Sequence, residues 1–190
     1  MSKIEVDTIE PQSGTSLTLG ASGDTITIPS GVTLDGSSAT LTGIGTATTN
    51  GITMADQWRL TANKTGTGII NTNLERIDTD GYGQLGTGMT ESSGNFTFPS
   101  TGIYLIGLTI ATDNNVNVSI ETTQDNSSYN AAAVAKADSS TQTGTTQFIF
   151  DVTDTSTHKV NFNVFTISGT LQGSTDLNNT SFTFIRLGDT

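Results

Sequence analysis

Cysteine is absent from this 190-residue chain, and basic residues, proline and aromatic rings are scarce. Without cysteine the chain can form neither a disulfide nor a thiolate metal site. Its seven lysines and arginines are spread singly through a chain of net charge -11, which leaves no basic patch for a nucleic-acid backbone. No apolar run is long enough to cross a membrane, and the start, MSKIEVDTIE, lacks the features of a signal peptide. The sequence therefore predicts no nucleic-acid binding, no membrane insertion and no secretory export.

The residues that are abundant favour β-structure. Threonine fills about one position in five, and only 13% of the residues are charged. Side chains branched at Cβ favour strands over helices, and no window shows a capped apolar period of 3.6 residues. The segment 129–137, YNAAAVAKA, is compatible with a helix, but its small residues fit an inner strand as well. The sequence predicts an all-β protein.

Residues 1–57 contain no aromatic side chain, and their apolar residues alternate in short groups such as Leu17 with Leu19 and Ile26 with Ile28. Burying one aliphatic side chain yields roughly 1.5 to 3 kcal/mol, whereas ordering each residue costs about 1.5 kcal/mol. With one large aliphatic residue in every four or five, this segment cannot fold alone. Either identical chains wrap a common axis as a thin β-stalk, or the segment is a flexible linker. The regular alternation favours the stalk.

Residues 58–190 carry the strand-forming sequence, centred on the stretch 93–110, SGNFTFPSTGIYLIGLTI. Its two alternating runs are separated by Pro99 and Gly102, which predict a corner between two buried strands. With the later runs at 116–123, 145–154, 158–168 and 181–188, about eight strands at ten-residue spacing indicate a sandwich or jelly roll. The residues predicted to pack the core or a trimer contact are Trp58, Phe96, Phe98, Tyr104, Phe148, Phe150, Phe162, Phe182 and Phe184.

The order GxFxxPxxGxY, formed by Gly94, Phe96, Pro99, Gly102 and Tyr104, resembles the central signature of the C1q and tumour-necrosis-factor-like jelly roll. The ending TSFTFIRLGD resembles the closing strand of that fold. The resemblance covers about residues 58–190 and implies a ten-strand jelly roll that assembles as a compact homotrimer. The first strand of the family and its Gly-Asp pair are matched only loosely, by NLERI and by residues 151–154.

Residues 1–34 are similar to the leader found on virion structural proteins of marine bacteriophages. This resemblance implies a virion protein assembled in the bacterial host cytoplasm and attached to capsid or tail proteins through Ile4, Val6 and Ile9. We therefore expect an anchor and trimeric β-stalk at 1–57 and a jelly-roll knob at 58–190, together forming a fibre or spike for host attachment. The alternative is a capsid decoration or head fibre with no receptor role.

Residues that suggest catalysis or metal binding are few. The single histidine, His158, lies in the predicted loop TSTHKV, where we expect a solvated side chain. Asp78, Asp80 and Gly81 form DTDG, which is explained as a turn because the remaining ligands of a calcium loop are missing. A calcium site between chains and a pair of carboxylates in a glycan depolymerase remain open alternatives. We predict no catalytic residue, no cofactor and no metal within one chain.

The longest polar connections, at 113–115, 124–128, 137–144 and 169–179, are the candidates for contact with a host-surface glycan or protein, because loops commonly carry recognition. The candidate receptor-facing residues are Asp113, Asn114, Asn115, Asn126, Ser140 and Asp176.

Overall fold

The computed structural model describes residues 9–11, 13–32, 52–138 and 142–190. Within these residues every regular element is a β-strand, and none is a helix, which confirms the prediction of an all-β protein. The chain divides into two compact units, Met1–Gly45 and Thr46–Thr190, and all the strands belong to the second. They are β1 (Met54–Leu60), β2 (Gly68–Ile69), β3 (Leu74–Arg76), β4 (Thr90–Ser92), β5 (Asn95–Thr97), β6 (Gly102–Thr112), β7 (Val116–Thr123), β8 (Asn130–Ala137), β9 (Gln142–Val152), β10 (Lys159–Ile167) and β11 (Ser181–Gly188).

The second unit is a sandwich of two antiparallel sheets. One sheet has the order β3-β1-β11-β6-β9, and the other has the order β4-β5-β10-β7-β8, with β2 added on β10. The strand count exceeds the predicted eight to ten because β2, β3, β4 and β5 are pieces of two or three residues. The segment that was compatible with a helix is β8, paired along its length with β7. β1 begins at Met54, four residues before the predicted start of the knob at 58.

The central stretch contains a corner that carries the chain from one sheet to the other. β5 pairs with β10 in the six-stranded sheet, and β6 lies between β11 and β9 in the five-stranded sheet. Tyr104 donates its hydroxyl hydrogen to the Ser100 carbonyl (2.9 Å) and so holds the corner. Gly102 has φ +145° at the start of β6, and a Cβ there would lie 2.5 Å from Nε of Arg186.

The core lies between the sheets and is rich in aromatic rings. Phe96 is central, with ring centroids 5.4 Å from Trp58, 5.8 Å from Phe162 and 5.1 Å from Phe184. A second group joins Phe98 to Tyr104 (4.7 Å) and to Phe150 (5.8 Å). Edge-to-face and tilted arrangements at these distances add to the burial of apolar area. Seven of the nine predicted core residues are buried, and Trp58 and Phe148 are partly buried against them.

The strand registers define two ends of the sandwich. β1 and β6 both begin at one end, where Met54 lies opposite Arg186 and Gly102 lies opposite Val152. We call this the chain-entry end, and the opposite end the loop end. At the loop end β6 stops at Thr112, opposite the first residue of β9. The connections β6–β7, β8–β9 and β10–β11 therefore lie at the loop end, and the connections β5–β6, β7–β8 and β9–β10 lie at the chain-entry end.

In the first unit, residues 13–32 contain tight turns separated by segments without regular structure, and none of these residues lies in a β-strand. The aliphatic side chains of this segment are exposed by 46–59%. The described residues of the first unit thus contain no strand of the predicted stalk. Strand pairing between chains stays a prediction.

Candidate functional site

The candidate receptor-facing residues divide between the two ends of the sandwich. Asp113, Asn114 and Asn115 form the β6–β7 connection at the loop end, and Asp176 lies in the β10–β11 connection at the same end. Asn126 lies in the β7–β8 connection at the chain-entry end. Ser140 is outside the described residues. The structure thus groups four of the six candidates at one end and separates Asn126 from them.

Hydrogen bonds to backbone groups tie the loop-end connections together. The Asp113 carboxylate accepts a hydrogen bond from the Thr170 amide (2.5 Å), and the Asn115 carbonyl accepts one from the Ser168 amide (2.9 Å). Thr79 donates its hydroxyl hydrogen to the Asp176 carbonyl (3.4 Å). These bonds hold the β6–β7 and β10–β11 connections in fixed positions, so the loop end presents a preorganised polar surface.

A buried guanidinium organises a groove at this end. Arg59 is only 1% exposed and donates to Glu75 (2.6 Å), to Thr79 (2.8 Å) and to Asp78 (2.5 Å). The groove above it is lined by Glu75, Asp78, Thr79, Asp80, Thr175 and Asp176. The hydrogen bonds of Arg59 could not be predicted from the sequence, because Arg59 and its partners are brought together only by the β1–β3 pairing and the loop that follows β3.

The DTDG fragment is a turn, as the sequence predicted. The Tyr82 amide donates to the Thr79 carbonyl (2.9 Å), and Gly81 has φ +89°. Asp78 is the acceptor of a hydrogen bond from Arg59. Among the described residues, no group of three or more histidine, aspartate or glutamate side chains is arranged to hold a metal ion.

The β7–β8 connection at the chain-entry end is a locked turn around Asp125. One oxygen of its carboxylate accepts hydrogen bonds from the Ser128 amide (2.7 Å), from the Thr123 hydroxyl (2.8 Å) and from the Ser127 amide (2.8 Å). These bonds hold the pKa of Asp125 far below its ordinary value. Asn126 therefore projects from a rigid turn with a left-handed φ of 57°.

A second carboxylate, Asp56, links β1 to β3 and to the chain that follows. It accepts hydrogen bonds from Arg76 (2.9 and 3.1 Å), Trp58 (3.0 Å), Tyr82 (2.9 Å) and the Met89 amide (2.7 Å). The Arg76 guanidinium also lies 4.7 Å from the centre of the Trp58 ring. Burial raises the pKa of Asp56, but the hydrogen bonds outweigh burial and keep the pKa below its ordinary value.

The outer face of the five-stranded sheet carries an apolar row that the sequence analysis missed. Ala55 pairs with Ile185, Ile185 with Leu105, and Leu105 with Ile149, so these side chains lie side by side across four strands. We call them the cross-sheet row. Ile149 is 59% exposed, and the other three are partly exposed. The row could have been predicted from the apolar residues that alternate with the inward-facing aromatic rings of β6, β9 and β11.

The next row along the same face is polar. It consists of Gln57, Thr183, Gly107 and Gln147. The side-chain amide of Gln57 donates a hydrogen bond to the Thr183 hydroxyl (2.8 Å). Phe182 and Phe184 point to the opposite side of the sheet and have no exposed surface. Any surface contact of β11 is therefore made by the residues that alternate with these rings.

The expectation that His158 is solvated is wrong. Its side chain is 6% exposed and stacks on Phe150 (5.6 Å between ring centroids). Its ring nitrogens lie 3.2 Å from the Thr157 hydroxyl and 3.4 Å from the Thr153 hydroxyl. The connection before β10 folds back over the edge of the core, so His158 closes the chain-entry end of the sandwich.

Of the predicted anchoring residues, Ile4 and Val6 lie outside the described residues, and Ile9 is 58% exposed. In the part of the chain that the structure describes, no helix has the length and apolarity needed to cross a membrane.

Comparison with solved structures places this chain beside tumour-necrosis-factor-like domains. Murine APRIL aligns with a TM-score of 0.54 at 10% identity, over 70% of this chain and 98% of that one. Eiger TNF from S. frugiperda aligns with a TM-score of 0.55 at 9% identity, over 72% and 94%. PRD1 vertex protein P5 aligns with a TM-score of 0.48 at 16% identity, over 74% and 99%. No protein-family model matches the chain, and a search of curated proteins found no match.

At these identities the likeness shows the fold. The two packed antiparallel sheets form a TNF/C1q-like jelly roll, as the GxFxxPxxGxY signature had implied.

Proposed function

We propose that this chain is a structural protein of a bacteriophage virion, a homotrimeric fibre or spike anchored by its N-terminal segment. The jelly-roll knob presents its loop end to the host surface. The similarity of residues 1–34 to phage leaders supports the virion assignment, and the TNF/C1q-like fold supports trimerisation of the knob.

The cross-sheet row is the observation that best supports association of the knob with other copies of itself. It lies on a sheet face, with Ile149 59% exposed. Burying apolar area on association yields roughly 25 cal/mol per Å². A contiguous exposed apolar patch on a protein surface is typical of an interface. The neighbouring polar row of Gln57, Thr183 and Gln147 would form its rim.

The positions of the two ends support presentation of the knob. Residue 52 leads into β1 at the chain-entry end, and the connections that contain Asp113 and Asp176 lie at the opposite end. Contact with a host glycan or protein is therefore assigned to the β6–β7 and β10–β11 connections.

A capsid decoration without a receptor role is the second candidate. The hydrogen bonds from Thr170 to Asp113 and from Ser168 to Asn115 favour it, because they engage within the chain polar groups that a receptor would otherwise contact. A glycan depolymerase gains no support from the loop-end groove, since Glu75 and Asp78 are both engaged by Arg59.

Sedimentation equilibrium of the full chain tests trimerisation. The expected mass is three times that of the 19.7 kDa chain. The pair Leu105→Lys and Ile149→Lys places charges in the cross-sheet row and should abolish or strongly weaken the knob contact. Leu177→Lys is the control, because Leu177 is 65% exposed in the β10–β11 connection. A monomeric wild-type chain would overturn the proposal, and so would unchanged association of the double variant in a chain without residues 1–45, from which the predicted stalk is absent; circular dichroism verifies that each variant is folded.

Host attachment is tested separately on assembled particles. Alanine at Asp113 and Asn114 in one variant, and at Asp176 and Leu177 in another, should reduce adsorption to the host. Alanine at Asn126 is the control at the chain-entry end. Normal adsorption of both loop-end variants, with normal incorporation of the protein, favours the decoration role. Labelling of the protein on virions by electron microscopy decides between head and tail.

A further inference from the structure

The first unit contains two consecutive copies of one nine-residue pattern. Residues 13–21 read SGTSLTLGA, and residues 22–30 read SGDTITIPS. Each copy starts with Ser-Gly, continues with two polar residues, and then has an aliphatic-Thr-aliphatic triplet. Leu17 and Leu19 in the first copy correspond to Ile26 and Ile28 in the second. A fixed short period of this kind marks a structural unit that is stacked on its neighbours.

Two hydrogen-bonded turns of the same type lie on either side of the Ile-Thr-Ile triplet of the second copy. The Asp24 amide donates to the Ala21 carbonyl (3.0 Å), and the Val32 amide donates to the Pro29 carbonyl (3.2 Å). The third residue of each turn is a glycine with positive φ, 94° at Gly23 and 85° at Gly31. Glycine at this position of a hydrogen-bonded turn is what a type II turn requires. Two matching turns therefore flank the segment that carries Ile26 and Ile28.

Neither nine-residue unit has a strand partner among the described residues. Leu17, Leu19, Ile26 and Ile28 are exposed by 46%, 59%, 59% and 46%. No residue of 13–32 is paired in a strand ladder. Extended backbone needs hydrogen-bond partners, and an aliphatic ridge needs a covering surface. The repeat has the pattern of a β-structure whose other strands come from elsewhere.

We infer that the two units are successive rungs of a parallel, in-register β-stalk, in which each rung packs against the same rung of neighbouring copies of this chain. The inference rests on the homotrimer of the proposed function and adds to the predicted stalk its nine-residue rungs and the register of those rungs between chains. Leu17 and Leu19 of each copy face the axis in one rung, and Ile26 and Ile28 face it in the next.

Charge favours other copies of this chain as the partner. Although the net charge of the chain is -11, the only charged residue in 13–32 is Asp24. Its carboxylate is engaged in its own turn, where it accepts a hydrogen bond from the Ala21 amide (2.7 Å). Copies can therefore approach along this segment without strong repulsion. A partner must also present aliphatic pairs at the same nine-residue spacing, and another copy does so by symmetry.

Single cysteines in the full-length protein test this arrangement, because the natural chain has none. Leu17→Cys and Ile26→Cys place thiols on the ridge, whereas Thr18→Cys and Thr27→Cys place them on the opposite face of the same extended units. A disulfide requires Cα atoms within about 7 Å. Under mild oxidation, covalent dimers on non-reducing gels should be several-fold more abundant for the two ridge variants than for the two threonine variants.

The register is tested by mixing. Leu17→Cys chains co-expressed with differently tagged Ile26→Cys chains should form 17–17 and 26–26 dimers and few 17–26 dimers. Equal cross-linking of ridge and threonine variants, or abundant 17–26 dimers, would overturn the stalk inference. If the ridge packed on the knob of the same chain, none of the cysteine variants would cross-link. That result would also overturn the stalk inference.

The failure of this inference and of the proposed trimer can be told apart. Each cysteine variant is also sedimented in its reduced form. A trimer without ridge cross-links refutes the stalk and leaves the knob trimer standing, whereas a monomer refutes the trimer itself. The thermal transition of the knob verifies that each variant is folded.

Discussion

At the scale of single residues, Asp56 joins three separate segments of the knob through its carboxylate. Its carboxylate accepts hydrogen bonds from Trp58 in β1, from Arg76 in β3, and from Tyr82 and Met89 in the following loop. Hydrogen bonds to a charged group are stronger than neutral ones, and an unpaired buried donor carries a full desolvation cost. Asp56 therefore fixes the loop between β3 and β4 against β1.

We expect Asp56→Asn to destabilise the knob. Removing one partner of a buried ion pair costs about 3 to 5 kcal/mol, and the low end applies here because the Arg76 side chain is 36% exposed. Urea unfolding at pH 7 followed by tryptophan fluorescence measures the change. Asp80→Asn, at an exposed aspartate of the same loop, is the control and should change the free energy of unfolding by less than about 0.5 kcal/mol.

The same carboxylate predicts a pH dependence. Because the pKa of Asp56 is lowered in the folded state, its stabilisation is fully present above the unfolded pKa of about 3.9 and is lost as the pH falls through the folded pKa. The difference in unfolding free energy between wild type and Asp56→Asn should therefore be constant from pH 7 to about pH 5 and shrink below about pH 4. A difference that grew on acidification would show that another group controls it.

At the scale of elements, the corner between β5 and β6 determines how the two sheets are joined. Phe96 and Phe98 pack into the core before the corner, and Tyr104 packs beside Phe98 after it. The short connection from Phe98 to Thr101 requires the left-handed backbone of Gly102, which lies against Arg186 and the Gly188 carbonyl. Arg186 in turn donates to the Thr101 carbonyl (2.9 Å), which joins the corner to the end of β11.

Gly102→Ala should destabilise the knob by at least about 2 kcal/mol, because the unfavourable φ costs about 1 to 3 kcal/mol and the new methyl group contacts backbone. The added Cβ would lie 2.6 Å from the Gly188 carbonyl oxygen. Gly83→Ala is the matched control, since a Cβ there meets nothing within 4 Å. Equal unfolding midpoints for the two variants in urea would contradict this account of the corner.

At the scale of the whole molecule, the two compact units divide the chain at Gly45, while β1 begins at Met54. The buried core extends from Met54 to Phe184 and contains nothing from the described part of residues 9–32. The knob should therefore fold without the first unit, provided that β1 is complete.

Two deletions test this boundary. Removal of residues 1–45 should leave the thermal transition of the knob within a few degrees of the full chain, and should abolish incorporation into virions. Removal of residues 1–57 cuts away Met54 and Asp56 from β1, so the transition should fall sharply or disappear. Differential scanning calorimetry of both proteins decides; identical transitions would show that the first half of β1 is dispensable.

Much of this architecture follows from the sequence alone, because strand alternation is a local property with a period of two residues. The all-β class, the inward phase of Phe96, Phe162 and Phe184, and the corner at Pro99 to Gly102 can all be predicted from it. The turn at 78–81 also follows from the local preferences of aspartate and glycine.

Only the tertiary structure shows the features that depend on pairing between strands distant in the sequence. The cross-sheet row exists because β1, β11, β6 and β9 are neighbours in a register that aligns Ala55, Ile185, Leu105 and Ile149. The hydrogen bonds of Asp56 and Arg59 and the burial of His158 likewise depend on residues far apart in the sequence. The same holds for the grouping of Asp113 with Asp176 at the loop end. A period-two pattern specifies the two faces of each strand, and only the pairing of strands specifies which residues meet on each face.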